Sequence, residues 1–144
     1  MIPPKLRADL PLYVRRAGLT ILENDSAVTG YVSGRVYGPR TPQDVLWPFI
    51  RWGTSDATQF VATGHSGLQD EVMIHCFSDG ADESEALLIN GAVSLALDNV
   101  VAVLPSPYPA KATFSAIGSR VIPDAAEADK WHGIVRLRWA CPTG

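Results

Sequence analysis

The side chains of this 144-residue chain whose types are suited to chemistry are Cys76 and Cys141, His65, His75 and His132, Ser66, and the acidic run Asp79, Asp82, Glu83 and Glu85. Nucleophilic catalysis needs a serine or cysteine beside a base that a third group orients. Cys76 directly follows His75. Neighbours in a strand point to opposite faces, so these two do not pair locally. Ser66 lies in Gly64-His65-Ser66-Gly67, which lacks the G-x-S-x-G spacing of a nucleophile elbow. The histidines show no i, i+4 pair, and they fall on a predicted loop, a strand interior and a strand start, which is a poor basis for a metal site. Two cysteines without CxxC spacing are too few for a disulfide framework and are read as reduced, buried thiols. No P-loop and no G-x-G-x-x-G is present, and the acidic run suits the capping and dipole of a helix start. These residues therefore yield no catalytic, cofactor-binding or metal assignment, and no cofactor is expected.

Binding is the better-supported class. Four tryptophans in the chain are either interface anchors or core fillers. Arg136 and Arg138 share one face of the last predicted strand and suit a partner's carboxylates or plain solvent. Composition narrows the partners. With 47% hydrophobic residues, 19% charged and a net charge of −3, the chain is neither disordered nor built to neutralise phosphates, and polybasic membrane anchoring fails likewise. The longest apolar run, Val100 to Leu104, is far too short for a membrane span, and the start Met-Ile-Pro-Pro-Lys-Leu-Arg lacks the hydrophobic segment of a secretory signal.

The elements that must position these residues follow from periodicity. Leu10, Tyr13, Val14, Ala17 and Ile21 recur at helical steps, which predicts a helix from about Asp9, its N-cap, to Asn24, and then the pattern breaks. Arg35-Val36-Tyr37 is a short extended segment, and Trp47 to Trp52 is a strand entered through Pro48. Thr54 to Gln69 reads as a long polar loop with Phe60 and Val61 at its tip, expected to be mobile in an isolated subunit. Asp70 to Phe77 is apolar on both faces and should be central. Asp82 and Glu85 have capping-box spacing, ahead of a helix reaching about Asn99 whose inward face is Leu88, Ile89, Ala92, Val93, Leu95 and Ala96. Pro105, Pro107 and Pro109 end regular structure, and strands at about Lys111 to Ile122 and His132 to Cys141 complete the fold. In the last, Val135, Leu137, Trp139 and Cys141 alternate with Arg136, Arg138 and Ala140, so one face is packed and the other wet. The expectation is one α+β domain, a mainly antiparallel sheet with two helices on one face, spanning residues 1–144 with residues 1–8 as an N-terminal arm.

The segment order carries a resemblance. Gly34-Arg35-Val36-Tyr37, Trp47-Pro48-Phe49-Ile50, the polar loop, Val72-Met73-Ile74-His75-Cys76-Phe77-Ser78-Asp79, a helix, and Ser119-Arg120-Val121-Ile122-Pro123-Asp124 before the last strand resemble the tail completion proteins of tailed bacteriophages. These include the tail terminators, found also in phage-like gene transfer agents. Phe77 departs from the pattern, standing where a tryptophan is expected. The resemblance implies a structural virion protein of the tail neck, assembled in the bacterial host cytoplasm. It implies a homo-oligomeric ring, a hexamer, that caps the tail tube and meets the head-side connector or stopper protein, with DNA only in transit. The residues assigned to a subunit or tube interface are Gln59, Phe60, Val61, His65, Arg136 and Arg138. The alternative is a small enzyme or ligand-binding domain with its site formed only in the fold.

Overall fold

The computed structural model describes residues 8–62, 65–104 and 110–142. Among these residues three helices, α1 (Leu10–Asn24), α2 (Ser26–Val32) and α3 (Ser84–Leu97), accompany seven strands. These are β1 (Val36–Tyr37), β2 (Phe49–Trp52), β3 (Thr58–Ala62), β4 (His65–Ser78), β5 (Val100–Val103), β6 (Lys111–Pro123) and β7 (Trp131–Pro142). The sheet runs β1-β2-β4-β7-β6-β5, with β3 also paired to β4. Among the described residues only the β1–β2 pair is parallel; the other pairings are antiparallel. The fold is α+β as expected, with a third helix added. The arm assigned to residues 1–8 and the prolines at 105, 107 and 109 fall, Ala8 apart, outside the described residues.

Helix α1 buries Leu10, Val14, Gly18 and Leu22, a strict four-residue spacing that turns one narrow stripe inward. Asp9 stands at its N-cap without a side-chain capping bond. Asp25 ends α1 and starts α2, its carboxylate accepting the Val28 amide at 3.0 Å. Helix α2 has only seven residues, Gly30 among them, and is too short to leave a periodic signal in the sequence. Ser33 and Gly34, both at positive φ, then turn the chain into β1.

The stretch read as a loop from Thr54 to Gln69 is instead β3 followed by the start of β4. Thr58 pairs with Gln69 and Val61 with Ser66, so polar residues that carry no strand signal alone are held extended by cross-strand bonding. Asp70, 7% exposed, accepts the Asp56 amide at 2.9 Å and pins the approach to β3. Burial raises the Asp70 pKa, partly offset by backbone hydrogen bonds from Asp56 and Glu71. Strand β4 is central, with β2 and β3 on one side and β7 on the other.

At α3 the acidic residues act one step away from a reciprocal box. Asp82 accepts the Ser84 amide at 2.9 Å, while Glu85 accepts the Ser78 hydroxyl at 2.7 Å and so ties the helix to the end of β4. The buried residues are Ala86, Ile89, Asn90, Ala92, Val93 and Leu97; Leu88 and Leu95, expected inside, are 54% and 86% exposed. This helix is apolar all round, so periodicity does not mark which side the sheet takes. Asn90 marks it: its Nδ2 donates to the Arg120 carbonyl at 3.0 Å, and its amide occupies the space above Gly133, where no Cβ fits. Strand β5, also unforeseen, lies at the sheet edge against β6. The core is the sheet face carrying Ile50, Trp52, Ile74, Val135, Leu137 and Trp139, closed by the three helices.

Candidate assembly surfaces

The opposite face of the sheet carries none of the three helices, although Phe49, Phe77 and Ile134 on it are buried among their neighbours. Register places Phe49, Phe77, His132 and Ile122 in one row across β2, β4, β7 and β6, and Arg51, His75, Ile134 and Arg120 in the next. Met73 beside Arg136, then Glu71 beside Arg138, continue it. The strand phase read for β7 is correct: Val135, Leu137, Trp139 and Cys141 are buried while Arg136 and Arg138 are exposed. Arg136 Nε donates to Glu71 Oε1 at 3.0 Å. Cys76 and Cys141 are free and buried, with burial pushing both thiols up, Cys141 to about 11.

At one end of this face the rings form a continuous stack. Phe49 lies 4.7 Å from Phe77, and Phe77 4.4 Å from His132, both near-parallel. Trp47 meets the edge of Phe49 at 5.1 Å, with Lys130 above Trp47 and Arg51 above Phe77. The tryptophans therefore divide: Trp52 and Trp139 fill the core, and Trp47 joins the open-face cluster.

His75 Nδ1 and His132 Nε2 are 2.7 Å apart, one donating and the other accepting. Burial lowers His75 to about 4, helped by Arg51 and His132, and burial also lowers His132, where Asp124 opposes it and Arg51 and Arg120 add to it. A neutral pair in the fold binds its protons at lower pH than the unfolded chain does. Its contribution to stability is therefore full above the ordinary histidine value of 6.5 and is lost as pH falls toward about 4. The urea midpoint should drop between pH 7 and pH 5, and H75F/H132F should reduce that drop; equal drops in both proteins would show that the pair is not held neutral.

The residues assigned to an interface lie on two strands, and register puts Phe60 in phase with the open face while Gln59 and Val61 are in phase with the other side of the sheet. Gln59, Phe60 and Val61 fall on β3, with Gln59 exposed, Phe60 half-buried and Val61 80% exposed. Arg136 and Arg138 lie on β7, and Arg138 lines an open cleft with Asp56, Thr58, Gln69, Asp70 and Glu71. His65 is the first residue of β4, and its side chain is outside the described residues. Among the described residues no group of three or more His, Cys, Asp or Glu converges as a metal site, and no helix is long and apolar enough to cross a membrane. The residues missed by sequence reasoning are the histidine pair and the ring stack, which only strand register brings together.

Comparisons with known proteins agree with this architecture. A chain from the "virion of native gene transfer agent (GTA) particle" superposes with a TM-score of 0.81 at 18% identity, covering 94% of this chain and 99% of that one. The gp17 protein of bacteriophage SPP1 superposes with a TM-score of 0.56 at 21% identity, covering 89% of this chain and 88% of that one. No curated protein sequence matches. The family model for tail completion protein gp17 matches residues 18–141, from the middle of α1 to the end of β7. The chain belongs to the tail completion protein gp17 family, and its role is structural, at the neck of a phage or phage-like tail.

Proposed function

We propose that copies of this chain form a closed ring, six to the ring, on the last layer of the tail tube, where the ring ends tube growth and presents the docking surface for the head-side connector. It works in the virion, by binding and without catalysis, and DNA passes through its lumen. The observation that carries this reading is family membership over nearly the whole chain. Two features of the fold support it. The free edge of β5 and the outer edge of β3 lie on opposite sides of the sheet, and exposed valines (Val61, Val101, Val103) sit on both. Net charge of −3 also suits a channel through which DNA must slide without being held.

Size-exclusion chromatography with light scattering, followed by electron microscopy of the peak, tests the ring. Hexameric rings, appearing at high concentration or with tube protein added, are expected. A strict monomer under all of these conditions contradicts the proposal. In this reading Gln59, Phe60 and Val61 of β3 meet the tube or a neighbouring subunit, and Arg136 and Arg138 meet a subunit. Because Val61 is 80% exposed, Val61→Asp should change folding stability by no more than about 0.5 kcal/mol. It should nonetheless abolish tail joining. Normal joining by a stable V61D protein would remove β3 from the interface.

A further inference from the structure

Two unpartnered surfaces lie on opposite sides of the two layers. On the helix side, the outer stripe of α3 exposes Leu87, Leu88 and Leu95 at 51%, 54% and 86%, with Gly91 between them and open space above it. Its buried residues Ile89, Asn90, Val93 and Leu97 face the sheet, so this stripe points directly away from it. Exposed Asp79, Asp82 and Glu83 precede the stripe, Asp98 follows it, and no lysine or arginine occurs between Ser78 and Ala110. On the other side, the open sheet face has Met73, 46% exposed, near its centre. Four arginines, Arg51, Arg120, Arg136 and Arg138, share that face with Glu71, with Asp124 close to His132 at one end and Asp56 in the cleft that Arg138 lines.

We propose that the α3 stripe of one copy docks on the open sheet face of the next, placing Leu88 against Met73 and the acidic turn before α3 against the arginines. This deepens the ring reading and rests on it. Charge decides the arrangement. Sheet on sheet opposes arginine to arginine, and helix on helix opposes carboxylate to carboxylate; helix on sheet pairs unlike charges and covers Met73 together with the leucine stripe. The two surfaces are different and lie on opposite sides of one chain, so the contact is heterologous and propagates head to tail until the rotation closes it. Burial of the native thiols keeps Cys76 and Cys141 out of a crosslinking experiment.

The test is M73C/L88C, crosslinked with a short bis-maleimide in ring preparations and in assembled particles. A ladder of covalent multimers up to the ring size is expected, with neither single-cysteine variant forming one. Dimers from M73C or L88C alone would show like faces meeting and would overturn the proposal. A ring seen by light scattering in the same sample without a ladder would overturn the contact and leave the ring standing, whereas particles without any ring of this chain would overturn both. As a second measurement, R136E/R138E should weaken self-association at least tenfold while the chain stays folded. The thermal midpoint should show only the small drop that losing the exposed Arg136–Glu71 pair and opposing Glu71 with like charge brings. Adding D82R/E83R should restore association. Unchanged association in R136E/R138E, or no restoration, would count against the charge pairing and overturn the assignment.

Discussion

Replacing Trp139 by alanine is expected to cost about 3–5 kcal/mol of folding stability, the range for truncating a buried aromatic ring. Trp139 is 1% exposed on β7, the strand held between β4 and β6, where its cross-strand neighbours are Asp70 and Phe114. Both flanking strands are bonded along their length, so the backbone cannot close over the lost indole and a cavity remains. For a domain of this size the loss corresponds to a fall of about 10 °C or more in thermal midpoint. A near-unchanged midpoint would mean that the ring is not enclosed. Leu88→Ala is the matched control: Leu88 is 54% exposed, and the isolated chain should tolerate its loss.

The second large effect comes from adding a single carbon. Gly18 on α1 lies against the ring of Trp52, and a Cβ at position 18 would overlap the ring carbons Cη2, Cζ3 and Cζ2. Trp52 is 1% exposed and meets the edge of Phe114 at 6.3 Å, so it has no free space into which to retreat. Gly18→Ala is therefore expected to lose about 1–3 kcal/mol by overpacking. The gain of about 1 kcal/mol in helix propensity does not offset it. Gly30 on α2 has nothing within 4 Å of the equivalent position, and Gly30→Ala should stabilise by about 0.5–1 kcal/mol. Opposite signs for the two substitutions, read from denaturant midpoints, support the close approach of α1 to the sheet. Stabilisation by both would contradict it.

These two sites also show which parts of the fold local sequence records. Strand β7 was legible because one face is wet: the alternation of Trp139 and Leu137 with Arg138 and Arg136 is a local pattern imposed by solvent. Helix α1 was legible for the same reason. Helix α3 was located, but its inward face was not, since Leu87, Leu88 and Leu95 are as apolar as Ile89 and Val93. The polar residue that marks its inward side is Asn90, which donates to the Arg120 carbonyl thirty residues away. Strand β3 was missed because Thr58 and Gln59 have no strand pattern of their own and are extended only through β4. The candidate surface was visible in part. Arg136 and Arg138 could be placed on one face, but the His75–His132 contact joins residues 57 positions apart and exists only through the β4–β7 register. The segment order, by contrast, persists although individual motifs are weak, which is why the family resemblance held while the Thr54 to Gln69 loop did not.

The central claim is that this chain completes the tail and joins it to the head. The most direct measurement is electron microscopy of particles assembled without it, with the wild-type chain supplied back as the control. Tails of uncontrolled length, or tails of normal length separated from filled heads, are the expected result, and restoring the chain should recover joined particles. Intact particles with joined tails of normal length in its absence would contradict the account.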